Sequence, residues 1–391
     1  MNALKKDNRI GKFIVTAVGG EQVRTYLPPP LPPEPSLRLE SLYGLMEEAN
    51  RSLGRLDGIS SILPSTPLFL HMYVRKEALL SSQIEGTQSS LSDLLLFESD
   101  EVPGVPLDDV QEVSNYVAAM NYGLERLKGG LPLSLRLIKE IHGKILAKGR
   151  GSDKQPGEFR KSQNWIGGTR PGKATYVPPP AHKVLDCMGD LETFIYEKDS
   201  KLPVLIKAAL IHVQFESIHP FLDGNGRVGR LLITFLLCEK KVLSEPILYL
   251  SLFFKTHRQE YYDLLQKVRQ DGDWEAWIEF FLTGVKETSD QAAKSAKLIL
   301  DLFERDRRKI EGLARPTASA LRVHQYLQSI PILSVAGATN TLGLTAPTVR
   351  KSVRHLVELG VMREITGKKR DKLFAYGEYI KILNEGTEPL R

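Results

Sequence analysis

The chain has 391 residues, with 53 Lys or Arg, 47 Asp or Glu, two cysteines and 42% apolar side chains. That length can bury more than one core, and the ordinary composition excludes a disordered or collagen-like chain. No run approaches the ~20 apolar residues of a membrane span.

Cys187 and Cys238 lack metal-ligand spacing, which points to a reducing compartment and no disulfide framework. The opening "MNALKKDNRIGKFIVTAVGG" shows no defensible small-residue cleavage site, so a signal peptide is not expected and the setting reads as cytoplasmic. The net charge of +6 is unevenly placed: Arg315 to Arg391 hold twelve Lys or Arg against six Asp or Glu, the whole of the excess. An anionic partner is therefore sought in the last fifth of the chain.

Residues 1–36 read as an N-terminal extension. It ends in "LPPPLPPEP", Leu27 to Pro35, where successive prolines exclude helix and central strand. A stiff extended lead-in is the simpler reading, a PxxP docking ligand the alternative. Residues 37–130 form a helical region: "LRLESLYGLMEEANRSLGRL" repeats apolar residues at i, i+3, i+4 and i+7. Residues 131–312 continue it through "LPVLIKAALIHVQFESI", "QEYYDLLQKVRQ" and "WEAWIEFFLTGVKETSDQAAKSAKLILDLF".

One segment breaks the helical period. "PGEFRKSQNWIGGTRPGKATYVPPP", Pro156 to Pro180, has two short extended runs about a Gly/Pro turn and predicts an isolated β-hairpin. Inside it, "GGTRPGKAT" nearly spells a P-loop, but Ala174 replaces the required hydroxyl and "TYVPPP" follows where a helix must begin. Lys173 at a hairpin tip is the simpler account.

Residues 313–391 change in texture. "TASALRVHQYLQS" predicts a helix and "VAGATNTLGLTAPTVRKSVRHLVELG" a helix, a turn and a second helix. "VMREITGKKRDKLFAYGEYIKI" predicts two strands joined by a basic tip, completing a winged-helix layout. Thr345 is the expected N-cap, with Val349, Val353, Leu356 and Val357 inward and Arg350, Lys351 and Arg354 outward. With Lys368, Lys369 and Arg370 on the tip, that face suits duplex DNA; a docking or dimerisation module with a solvated basic face is the alternative.

"IHPFLDGNGRVGRLL", Ile218 to Leu232, concentrates chemistry between two core helices. Pro220 stops the helix before it, and "RVGRLLITFLL" starts the next. Glycines around Asn225 can turn successive N–H groups toward one anion, and the following helix adds its N-terminal partial charge. Arg227 and Arg230 suit phosphate oxygens, Asp223 a Mg²⁺ carried by a nucleotide, and His219 proton transfer near neutral pH. Taken singly each is ordinary; together within twelve positions they predict a triphosphate site with a base.

"HPFLDGNGRVGR" matches HPFx[D/E]GNGRxxR at every specified position and resembles the Fic (Fido) family signature; "GEFR", "YY" and "GDW" accompany it, and the resemblance covers about Leu27 to Glu311. It implies a mainly α fold with a β-hairpin flap, and transfer of AMP from ATP, with release of pyrophosphate, to a Thr, Ser or Tyr hydroxyl of a target protein and of the chain itself. His219 would be the base and Asp223 the ligand of Mg²⁺ (or Mn²⁺). Gly224, Asn225, Gly226, Arg227, Val228, Gly229 and Arg230 would hold ATP, Arg227 at the leaving pyrophosphate and Arg230 at the γ-phosphate. Ile166, Gly167, Gly168 and Thr169 would belong to the flap that aligns the target by strand pairing. Tyr261, Tyr262 and Arg269 sit where the family contacts the nucleoside, although "QEYYDLLQKV" serves equally as a core helix. A homodimer enters by resemblance alone.

"SSQIEG", Ser81 to Gly86, resembles the family's inhibitory motif, [S/T]xxxE[G/N], at the end of a helical run that Gly86 would close. Glu85 would then compete with the γ-phosphate for Arg230. Removal of AMP, with Glu85 positioning water, and a DNA-binding regulator with a nucleotide-sensing Fic region remain as alternatives. The intact His219 and Asp223 favour the enzyme, since a sensor needs no base.

Overall fold

A computed structural model describes residues 9–62, 66–98, 103–197, 201–313 and 317–390. The fold is mainly helical. In chain order the helices are α1 Tyr43–Ile62, α2 Thr66–Ile84, α3 Leu91–Phe97, α4 Leu107–Lys128, α5 Leu135–Ile145, α6 Val184–Tyr196, α7 Val204–Ile218 and α8 Asn225–Glu239. They continue with α9 Ser251–Thr256, α10 Arg258–Asp271, α11 Trp274–Glu311, α12 Thr317–Ser329, α13 Val335–Leu342, α14 Ala346–Glu358 and α15 Gly377–Leu383. The strands are β1 Lys12–Val18, β2 Glu21–Leu27, β3 Ile332–Ser334, β4 Arg363–Glu364 and β5 Leu373–Ala375. No helix among the described residues is long and apolar enough to cross a membrane.

Two compact units form. The first takes the chain up to Gly54 with Ser114–Ser244 and Phe253–Thr288; the second takes Arg55–Val113, Glu245–Leu252 and the chain from Ser289 onward.

In the first unit α7 is the central helix. Every residue from Leu205 to Ile218 is buried, polar ones included, as expected of a helix surrounded by others. It packs closely on α8: a Cβ at Gly229 would meet Phe215 at 3.2 Å and collide with the Glu216 carboxylate. α5 shows the surface pattern instead. Ser134 caps it by accepting the N–H of Leu137, and Leu137, Ile138, Ile141, His142 and Ile145 form its buried stripe.

Three elements differ from the sequence expectation. β1 and β2 pair antiparallel about Gly19–Gly20, with Val18 opposite Glu21 and Lys12 opposite Leu27. This hairpin falls in the segment read as a mere extension. The predicted hairpin at 156–180 is a loop closed by a single bridge, Ile166 to Tyr176, with a 3₁₀ turn at Pro171–Lys173. Its glycines and prolines leave too few ladder bonds for two strands. β2 lies beside it: Tyr26 N–H donates to Val177 O at 2.9 Å, and Glu21 takes Arg170 at 2.6 Å and Gly172 N–H at 2.9 Å.

In the second unit α12, α13 and α14 pack together, and a three-stranded antiparallel sheet has the order β3-β5-β4. "GEYIKIL", expected to extend a strand, is α15. Thr345 caps α14, and Val349, Val353 and Leu356 are buried. Val357 is 39% exposed rather than inward; Leu356 already fills that turn of the stripe.

Candidate active site

His219 follows α7 directly, at the helix C-cap, with φ 49° and ψ 59°. That left-handed conformation is uncommon outside glycine, and costs an L-residue about 1–2 kcal/mol unless the surroundings impose it. Here the last-turn carbonyls of α7, which have no helical partners, are taken by three side chains from elsewhere in the first unit.

Arg269 of α10 donates to Glu216 O at 3.3 Å and to Ser217 Oγ at 3.2 Å. The Tyr176 hydroxyl donates to Ser217 O at 2.5 Å, and the Arg269 guanidinium lies 3.9 Å over its ring. Arg160 donates Nε to His219 O at 3.0 Å and its other nitrogens to Ser162 O, Pro179 O and Ile218 O. Burial pulls Arg160 down to about 10, so it stays a cation at neutral pH. Its own backbone N–H donates to Pro220 O at 2.9 Å.

Between His219 and α8 the chain is pinned from both sides. Phe221 is fully buried, and the Asn225 amide returns to it twice: Oδ1 accepts Phe221 N–H at 2.8 Å, and Nδ2 donates to Phe221 O at 2.9 Å. Asn164 donates to the same carbonyl at 2.8 Å. His142 of α5 stacks on the Phe221 ring, 3.7 Å between centroids and 7° from parallel. Because Gly157 N–H can only donate, His142 Nδ1 accepts it at 2.8 Å, so Nε2 carries the proton and donates to Asp223 O at 3.0 Å. Burial pushes His142 down to about 4 and keeps this neutral tautomer.

α8 opens at Gly224, whose φ of +76° and ψ of 5° suit glycine. The first N–H groups of a helix have no intrahelical acceptor and make a ready anion site. Asp223 Oδ1 accepts Gly224 N–H at 2.5 Å and lies 3.5 Å from Arg227. Its side chain is 40% exposed, and a Cβ on Gly151 would come within 2.8 Å of Oδ2. Arg227 and Arg230 are both buried on α8, Val228 is core, and Gly229 is the close-packing point described above. His219, Asp223 and Gly226 are partly exposed.

Tyr261 is buried, its hydroxyl donating to His212 Nε2 at 2.9 Å while His212 Nδ1 donates to Gly229 O at 3.0 Å. Tyr262 beside it is 39% exposed, and Arg269 of α10 is buried against the end of α7. Ile166 forms the loop-closing bridge, with Gly167, Gly168 and Thr169 exposed after it. In the second unit Ser81 is buried in α2, which ends at Ile84; Glu85 is exposed, and Gly86 follows with φ +103°. Arg350, Lys351, Arg354, Lys368, Lys369 and Arg370 are all exposed.

Sequence reasoning missed His142 and the role of Arg160. "GEFR" was noticed, but nothing local says that its arginine reaches carbonyls about 60 residues on. A buried histidine on the stripe of α5 looks like any core histidine.

Residues 43–125 match the pattern described as Fic/DOC family N-terminal, and residues 132–237, which contain His219 to Arg230, match that described as Fic/DOC family. "Protein adenylyltransferase Fic" of Aedes aegypti is 33% identical over 211 residues, 53% of this chain and 39% of that protein. The protein of the same name from Culex quinquefasciatus is 31% identical over the same length and shares. This chain thus spans about two fifths of the length of these curated relatives. A Fic family protein from Desulfovibrio desulfuricans G20 superposes with a TM-score of 0.57 at 19% identity, covering 88% of this chain and 97% of that one. Fic-1 (aa134–508) from C. elegans gives 0.51 at 21% identity, covering 67% and 74%. These likenesses show the fold.

Proposed function

We propose that this chain, which carries the N-terminal and Fic domains of the Fic/DOC family, is a protein adenylyltransferase. It transfers AMP from ATP to a Thr, Ser or Tyr hydroxyl of a target protein, and to itself. One observation carries the reading: an imidazole held in a left-handed C-cap stands directly before a turn that opens a helix with two buried arginines.

The chemistry follows from those parts. His219 takes the proton of the incoming hydroxyl as its oxygen bonds to the α-phosphorus, and the bond to pyrophosphate breaks. The N–H groups at the start of α8 receive phosphate oxygens, Arg227 steadies the departing pyrophosphate and Arg230 meets the γ-phosphate. Asp223 fits a Mg²⁺ or Mn²⁺ ion brought by the triphosphate: it is a half-exposed carboxylate with one oxygen bordering the space left by the missing Gly151 side chain. Such an ion would neutralise phosphate charge. The loop from Ile166 to Thr169 lines up the target backbone, and Tyr262 is the exposed member of the pair assigned to the nucleoside.

Glu85 restrains this site by competing with the γ-phosphate for Arg230, as the motif resemblance implies. Residues 313–391 act as a winged helix whose basic α14 and β4–β5 tip contact DNA. The exposed cations and the local +6 charge support that role. A salt-sensitive mobility shift with duplex DNA is expected, and no shift even at low salt refutes it.

The enzyme reading is tested by incubating the pure protein with α-labelled and, separately, γ-labelled ATP. Label is expected from the α position only, more of it in Glu85→Gly and none in His219→Ala. Label from the γ position would make the protein a kinase, and equal labelling of Glu85→Gly and the parent would remove the restraint.

A further inference from the structure

The helix that leads into the Ser81–Gly86 motif belongs to the second unit, whose largest part is the C-terminal region. Within that unit α12 packs on α2. The buried Lys76 of α2 donates Nζ to Glu385 O at 2.8 Å and lies 4.5 Å over the Tyr249 ring. The buried Glu77 accepts Ser251 Oγ at 2.5 Å and Ser251 N–H at 3.2 Å.

Inside the motif lies Gln83, fully buried and two positions before Glu85. Its amide donates at 2.8 Å both to Ser89 O, just beyond the motif, and to Thr387 O in the C-terminal tail. The tail is shaped for that meeting. Thr387 N–H and Oγ1 both donate to Asn384 O at 2.9 Å, closing a turn. Gly386 adopts φ +79°, and a Cβ there would come within 2.8 Å of Leu252. Thr387 is buried.

We propose that residues Asn384–Thr387 form a clasp that holds the Ser81–Gly86 segment in its restraining position. Release of this tail frees the catalytic turn. The inference rests on the reading that Glu85 restrains Arg230, and it makes the C-terminal region the controller of that restraint. Both amide hydrogens of Gln83 are committed to main-chain carbonyls. Loss of the tail therefore takes the acceptor from one amide hydrogen of a residue inside the motif, a cost that favours rearrangement of its last turn.

The test compares auto-labelling from α-labelled ATP in the full chain, a chain ended after Leu383, Gln83→Ala and Glu85→Gly. The first two variants are expected to rise about tenfold, the change produced by about 1.4 kcal/mol of lost hydrogen bonding. Neither should add to the rise in a Glu85→Gly background. Hydrogen exchange at the amides of residues 80–87 should quicken in both, with overall helicity unchanged. If the shortened chain loses helicity, Gln83→Ala decides alone. A rise with Glu85→Gly but with neither tail variant overturns the clasp and leaves the restraint standing. A further rise in the Glu85→Gly background also overturns it, because the tail would then act elsewhere. No rise with Glu85→Gly itself removes the restraint and the clasp together.

Discussion

His219 owes its position to bonds that bypass its ring. Arg160 binds the carbonyls of Pro179, Ile218 and His219, so its guanidinium fixes a backbone conformation rather than a side chain. Arg160→Ala is expected to lower α-label incorporation about 100-fold through misplacement of the imidazole. It should also cost about 3 kcal/mol of stability from buried carbonyls left without donors, read as a fall in melting temperature. Arg160→Lys should recover little of either, since one ammonium cannot span several acceptors. The His219→Ala protein, in contrast, is expected to keep these main-chain bonds, so it should retain the shape of the turn while lacking the proposed proton acceptor. The residues proposed to hold nucleotide could be named from the sequence because they are contiguous. Arg160, His142 and Tyr176, which hold that turn, were not, because each acts across 41 to 81 residues on main-chain atoms common to every residue, and Arg269 was read as a nucleoside contact rather than as a donor to the end of α7.

Among the elements, helices were read best, because 3.6-residue periodicity is strong in α14 and the apolar stretches of α7 and α8 are too long for single strands. The β1–β2 hairpin was overlooked although "AVGGEQ" carries the Gly-Gly signal, because its outer strand is largely exposed and lacks clean alternation. That hairpin is tied to the loop after Ile166 through Glu21, which holds Arg170 and Gly172. Glu21→Ala is expected to change global stability by less than about 0.5 kcal/mol, as for other exposed ion pairs. It should nevertheless quicken tryptic cleavage after Lys173 several-fold, since local opening is what a protease samples. Unchanged cleavage rates would show that the loop holds its shape alone. α15 was misread as strand because "YIKI" alternates; Tyr379, Ile380 and Leu383 instead share one helical face into the core.

For the molecule as a whole, both units bury neutral histidines, His142 and His212 in the first and His324 in the second. Burial pushes His212 in the first unit down to about 3 and His324 in the second down to about 4, against an ordinary value of 6.5. The folded chain therefore binds fewer protons than the unfolded one below pH 6.5, and stability falls as the pH drops through that value. Each histidine contributes about 1.4 kcal/mol of loss per pH unit until its folded value is reached. The urea midpoint should be lower at pH 5.0 than at pH 7.5, and His324→Gln should flatten the acid limb; an acid limb unchanged in that variant would assign it elsewhere. The connectivity of the second unit has a consequence in time. Gln83 and Thr387 stand 304 positions apart, so a ribosome releases α2 long before it makes the tail that α2 receives. During that interval the nascent helix meets water or a chaperone instead, and its amide finds its second acceptor only after Thr387 has been made.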